Sequence, residues 1–406
     1  MPGRLMRAVL FGVGLWASPA SSFAQAADVV DAPAFRLRYS LKSSLLVSEL
    51  PDAPLLFPDR RSSTGFWRFR VEPTLNITDR VGVDTAIEQR WRAFSSASSL
   101  IGGGVLPSEA AAPYRLRQLD WSLASSSHGE WRAEVDRAAL QLRLPRANVT
   151  VGRQAIGWGR GVMFGAVDLF APFTPLEADR EWRRGVDAVR ADVKLTDRVS
   201  IDSVAAFGDA IDRSAFATRI RGYAGRVDLE VMAGRRARDP FAGLASSAAL
   251  GDIEVHGEVA RFGRVTKAVA GGSYRFPVGH GLLAYVEYHY SGFGAPTPAL
   301  MLTQFQDPAF QERYLRGDTQ ILGRHAVAVL ASYEWSPEVT LGGQWLQSPA
   351  DGSGVAAPSV TFTPGDRWSL VLSGYAPYGR APEGASFRSE FGAAPLAAFA
   401  QVRLYR

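Results

Sequence analysis

Cysteine is absent from this chain of 406 residues. That excludes thiol catalysis, cysteine-ligated zinc and disulfides together. Histidine is scarce. His128, His256, His280, His289 and His325 are the whole set, and none forms an H-x-x-x-H metal spacing. A G-x-S-x-G elbow and a phosphate-binding P-loop are also missing, so no cofactor is expected and catalysis is disfavoured. Lysine occurs only at Lys42, Lys194 and Lys267, which leaves arginine as 42 of the 45 basic residues. Beyond the N-terminal region no segment reaches the roughly eighteen consecutive apolar residues of a membrane-crossing helix. Acids number 40 and alternate with the bases instead of standing apart from them, a pattern that argues against nucleic acid as a partner.

The N-terminus carries a secretory signal pattern. Arg4 and Arg7 precede the apolar run Ala8 to Ala17, and Ala24-Gln25-Ala26 has the small-x-small form of a cleavage site. Residues 1–26 are therefore expected to be a signal peptide, and 27–406 one domain.

Through the rest of the chain the dominant signal is alternation with a period of two. Trp67, Phe69, Val71, Pro73, Leu75 and Ile77 alternate with Arg68, Arg70, Glu72, Thr74 and Asn76. Val81, Val83 and Ile87 oppose Asp84, Glu88, Arg90 and Arg92; Val189, Ala191 and Val193 oppose Arg190, Asp192 and Lys194. Between about 33 and 405 we count some sixteen to eighteen such segments, many about ten residues long. A strand crossing a membrane needs about 9–11 residues, whereas soluble strands average about 5–6. In lipid every backbone group must be paired internally, so such a sheet must close on itself. The expected fold is an all-β, transmembrane antiparallel barrel of 18 strands, with 16 as the alternative. Its greasy face would meet lipid and lipopolysaccharide and its charged face a wet lumen.

Short connectors fit hairpin turns: Thr78-Asp79-Arg80, Thr196-Asp197-Arg198, Ser336-Pro337-Glu338 and Pro364-Gly365-Asp366. Longer connectors are expected at about 48–64, 95–112, 155–182, 236–250, 293–322 and 377–393. Strict up-and-down alternation fails in two regions, 112–150 and 277–322. Asp252, Glu254, His256 and Glu258 share a strand face, as do Glu287 and His289. Alternation makes both sets lumen wall ahead of catalytic groups.

The most informative stretch is 148–185. A strand from Asn148 to Gln154 runs into glycines at 157, 159 and 161. A long connector follows with Phe164, Phe170 and Phe173, the acids Asp168, Glu177, Asp179 and Glu181, and the bases Arg180, Arg183 and Arg184. Connectors this long in compact folds are usually functional. Residues 138–154 (AALQLRLPRANVTVGRQ) and the following Asp168-Leu169-Phe170-Ala171-Pro172-Phe173 resemble the corresponding part of Gram-negative outer-membrane porins, with Val151 where a leucine is usual. Gly152, Arg153, Gln154, Ile156, Trp158 and Gly159 are also similar to a G-R-Q-x-I-x-W-G run in alginate-export-type barrels. The porin resemblance implies that 155–182 folds into the lumen and narrows it. The chain ends Leu404-Tyr405-Arg406, one residue past the terminal aromatic that the assembly machinery of the outer membrane reads in that class.

These readings make the chain a passive outer-membrane channel for small hydrophilic solutes, anions among them. The lumen and constriction candidates are Arg68, Arg70, Arg90, Arg92, Arg153 and Arg190 with Glu72, Glu88 and Asp192 opposing them, and Asp168, Arg180 and Arg183 on the connector. Arg153 shares a face with Val149 and Val151, so it needs a bulge or a strand end to point inward. The alternatives are export of an acidic polysaccharide and a plugged, anchoring barrel.

Overall fold

The computed structural model describes residues 35–96, 104–106 and 112–406. The expected signal peptide lies outside them. Nineteen strands form a single sheet: β1 (Phe35–Glu49), β2 (Arg61–Asn76), β3 (Val81–Phe94), β4 (Asp120–Ser126), β5 (Gly129–Leu144), β6 (Ala147–Gln154), β7 (Val186–Lys194), β8 (Val199–Ala206), β9 (Ala215–Ala224), β10 (Val227–Arg236), β11 (Asp239–Leu250), β12 (Ile253–Phe262), β13 (Val265–Phe276), β14 (Leu282–Ser291), β15 (His325–Ser336), β16 (Val339–Gln347), β17 (Gly354–Gly365), β18 (Trp368–Tyr378) and β19 (Leu396–Tyr405). Each pairs antiparallel with its neighbour, and β1 pairs with β19 from Ser40↔Tyr405 to Glu49↔Leu396, which closes the barrel. Eighteen strands make the ring and β4 is additional.

The alternation read from the sequence sorts the side chains as expected. Leu37, Leu45, Trp67, Ile87, Leu140 and Val189 are exposed on the outside, while Lys42, Arg70, Arg90 and Glu88 are buried inside. Aromatics gather at both ends of the outer surface. Phe35, Tyr223, Phe276, Trp335 and Trp368 sit at the short-turn end, and Trp67, Trp121, Trp131, Tyr288 and Tyr378 toward the long-loop end. Such paired belts place amphipathic rings at the two water–lipid boundaries.

Both regions of failed alternation have physical explanations. In the first, β3 pairs with β5, not with β4. β4 and β6 occupy the same edge of β5 end to end: Asp120–Ser126 pairs with Gly129–Glu134, and Ala147–Arg153 with Ala138–Leu144. β6 stops at Gln154 because the chain there turns into the lumen. β4 and the residues before it complete the upper wall, with Asp187 N donating to Tyr114 O and Val135 N to Leu119 O. In the second, the connector after β14 carries two helices, α1 (Pro298–Gln306) and α2 (Pro308–Leu315), each opened by proline and so readily started.

The connector expected at 236–250 is a correction. Residues 239–250 are β11, joined to β10 by a tight turn. The segment is rich in small residues because the inner loop lies against it. A Cβ added at Gly243 would come 3.1 Å from Val167 Cγ1.

Gly152 marks the exit from the wall. Its φ is +117°, and a Cβ there would lie 2.2 Å from the carbonyl oxygen of Ala138. Gly152→Ala is expected to lower barrel stability by at least about 1–3 kcal/mol, since neither the backbone angle nor the space admits a side chain. Heat-dependent gel mobility of the folded and unfolded forms checks this, and an unchanged transition would refute it.

Candidate functional site: the inner loop and the lumen

Between β6 and β7 the chain leaves the wall for residues 155–185 and crosses the barrel interior. Two wall carboxylates hold its first half. Glu258 on β12 accepts hydrogen bonds from the backbone N–H of Arg160, Gly161 (2.8 Å), Ala166 (2.7 Å) and Val167 (3.2 Å). Glu287 on β14 accepts from the N–H of Val162, Met163 (2.8 Å) and Phe164 (3.2 Å), and pairs with His256 Nε2 at 2.9 Å. The loop thus winds its own amides into two anion nests, and wall glutamates fill them. Gly161 permits the tight winding, because a Cβ there would sit 1.9 Å from Phe164 O. Trp158 Nε1 donates to Asp202 on β8 at 3.0 Å.

Around these anchors the loop builds the apolar core of the barrel. Ile156, Trp158, Phe164, Val167, Leu169 and Phe170 are each at most 2% exposed. Trp158 and Phe170 meet edge to face at 5.2 Å, and Phe164 stacks on His289 at 4.6 Å. Full burial of each large apolar side chain is worth about 1.5–3 kcal/mol, so this core is a substantial part of what fixes the loop.

The second half is tied to the opposite wall. Lys42 on β1 bonds both carboxylate oxygens of Asp179, at 2.7 and 2.8 Å, and Glu181 at 2.7 Å. Its ammonium also lies 3.6 Å from the Trp182 ring centroid. Burial pushes the Asp179 carboxyl up, but Lys42 and Arg68 outweigh it and hold that group well below the usual carboxylate range. The connector carrying α1 and α2 braces the loop from above: Gly165 N donates to Gln320 Oε1 at 3.0 Å, and Gln320 Nε2 to Phe173 O at 2.8 Å.

The sequence-derived site residues divide into groups. Arg70 bonds Glu88, Glu72 (2.8 Å) and Asp136 (2.8 Å) in one buried cluster, and Arg68 lies 3.7 Å from Glu88 and 3.8 Å from Asp179. Arg90 reaches Glu134 at 2.7 Å and Asp120 at 3.3 Å. Arg190 pairs with Asp202 at 2.9 Å, and Asp192 stands beside that pair in register with Asp202. Arg92 lies over the Phe66 ring at 5.2 Å. On the loop, Arg183 pairs with Asp168, while Arg180 donates to the carbonyls of Val162 (3.0 Å), Thr174 (2.9 Å) and Pro175. Arg153 lies in the wall seam where β6 gives way to β4. It donates to Asp187 (2.7 Å), Val135 O (2.8 Å) and Arg117 O (2.6 Å). Its charge is committed to joining three strands, which is how a residue on the Val149 face comes to be 2% exposed.

The sequence reading marked the loop residues Glu177, Arg180 and Glu181 but not the wall they face. A cavity of about 130 Å³ lies between loop residues Glu177, Arg180 and Glu181 and the inner face of β15–β19. The wall there presents Ser332, Gly342, Gln344, Ser359, Thr361 and Ser373, with Tyr375 and Arg403. The available signal was a contrast: inward positions carry arginines and acids in β2–β10 but mostly uncharged residues in β15–β18.

A closed barrel, apolar outside and with a charged inner wall, with a long loop folded across its lumen, defines the class of outer-membrane β-barrels. More narrowly, the fold is that of Gram-negative porins. The chain is similar to OccAB1 of Acinetobacter baumannii (TM-score 0.57, 8% identity, covering 92% of this chain and 96% of that one). It is similar to a BenF-like porin from Pseudomonas fluorescens Pf-5 (TM-score 0.54, 9% identity, 91% and 98% covered). The same holds for OccK7 (OpdD) of Pseudomonas aeruginosa (TM-score 0.54, 9% identity, 92% and 99% covered). No protein-family model matches the chain, and no curated protein does. These likenesses show the fold; the local similarity to alginate-export barrels gains no support from them.

Proposed function

We propose that the chain is a passive channel of the outer membrane for small hydrophilic solutes, with a preference for anions. The observation that carries this reading is the inner loop, strapped to opposite walls of a closed barrel while leaving a polar-lined cavity beside it. Lumen lining that is fixed by paired side chains filters solutes by size and charge without energy input. No catalytic step is part of this reading.

Single-channel recording of the refolded mature protein in a planar bilayer tests it. Stable steps, with a reversal potential favouring anions, are expected. No steps from well-folded protein would overturn the channel in favour of a plugged, anchoring barrel. Steps without charge preference would overturn the anion selectivity.

A pH effect is also expected. Burial pushes the Glu177 carboxyl up to about 6, against the Thr174 backbone N–H and Arg180, which pull it down. Glu177 lines the cavity, so as pH falls through about 6 the passage loses one negative charge. Anion preference should rise over that range. Glu177→Gln should show the higher preference at every pH; a variant that kept the pH step would refute the assignment.

A further inference from the structure

The ionic networks leave the two sides of the lumen unequal. On the β2–β10 side the inward cations are neutralised by carboxylates: Arg70 by Glu72, Glu88 and Asp136, and Arg219 by Asp202 (2.7 Å) and Glu230 (3.0 Å). Side chains held in such networks occupy the lumen and offer a passing ion little net charge. Arg403 on β19 is different. It is 5% exposed, lines the cavity, and among the described residues makes one hydrogen bond, from Nε to Gln401 Oε1 at 2.5 Å, and no ion pair. A buried guanidinium that makes no ion pair, with nearby Asp179 already held by Lys42 and a cavity before it, is a binding group for whatever enters.

We infer that solutes cross on one side only, between loop residues 177–181 and β15–β19, and that Arg403 is the positive charge that sets their selection. This rests on the channel reading above. The arginines of the β2–β10 network then hold the barrel and its loop in shape, while Ser359, Ser373 and Gln344 offer hydrogen bonds along the path. Glu177, Arg180 and Glu181 face this path from the loop; the Arg180 guanidinium is held by the carbonyls of Val162, Thr174 and Pro175, so across the path the field runs from the wall arginine to the loop acids.

The absence of native cysteine makes a direct test clean. Ser373→Cys and Ser359→Cys place one thiol each on the proposed path with little change in volume. Ser200→Cys places one on the inward face of β8, on the network side, next in alternation to Asp202. A charged methanethiosulfonate reagent is added to open channels in a bilayer. Current is expected to fall by roughly half or more at 373 or 359 and to change little at 200, because only a narrow path is blocked by one added group. Blocking at 200 with no effect at 373 and 359 would overturn the one-sided path. Arg403→Gln should abolish the anion preference read from the reversal potential, and Arg403→Lys should restore it; preference kept in Arg403→Gln would overturn that residue's role. A wild type with no steps at all would instead overturn the channel reading itself, so the two failures are distinguishable.

Discussion

Replacing both nest-filling glutamates, Glu258→Ala with Glu287→Ala, should turn the narrow conductance proposed for this barrel into a wide and noisy one. Seven loop amides lose their acceptors together: those of Arg160, Gly161, Ala166 and Val167 from Glu258, and of Val162, Met163 and Phe164 from Glu287. A buried amide left without a partner costs about 1–3 kcal/mol. The sum exceeds what the packing of Phe164 and Val167 can offset, so the first half of the loop leaves its seat. The second half remains held by Lys42 on Asp179. Conductance is expected to rise severalfold, with flicker between levels as the tethered loop moves, while the barrel itself stays folded. Glu258→Gln keeps one acceptor oxygen and should give an intermediate result. Single-channel conductance is the readout, and a double variant with the wild-type step size would refute the anchoring role.

Arg70→Ala should produce the largest loss of stability among single substitutions in the lumen. Arg70 is 1% exposed and is shared by Glu72, Glu88 and Asp136. Its removal leaves Glu88 and Asp136 buried with less compensation. Breaking a buried ion pair from one side costs about 3–5 kcal/mol, because the stranded charge remains. Removing an acid along with the cation, as in Arg70→Met with Glu88→Gln, should recover a good part of the loss. The unfolding midpoint in denaturant measures both; an unchanged midpoint in Arg70→Ala would show that water or Arg137 takes over the acids. Such a variant is a poor probe of ion selectivity, since its first effect is on the wall. Arg403 is the better one.

How much of this was legible beforehand follows from periodicity. Period-two alternation needs no knowledge of partners, so it located Arg68, Arg70, Glu88 and Arg190 on the inner face before any strand was paired. The long loop was legible because its glycines, aromatics and charges interrupt that period. Residues 239–250 were misassigned to a connector because they are rich in glycine, alanine and serine, and at inward Gly243 the smallness is imposed by Val167 from a distant part of the chain. The role of Arg153 was illegible for a similar reason. Its partners, Val135 O and Arg117 O, belong to segments that meet only where one strand is replaced by another.

The sequence by itself determined the closed barrel, its number of strands within two, which faces meet lipid and lumen, and which connector is unusual. Those properties depend on local pattern and on the rule that a sheet in lipid leaves no edge unpaired. Only the tertiary structure decided which arginines are spent on acids and which line a cavity, Arg403 from the wall and Arg180 from the loop. Charge pairing across a lumen joins residues such as Lys42 and Asp179, 137 positions apart. No short-range pattern encodes such a distance; the barrel must close, and the loop cross it, before the pair exists.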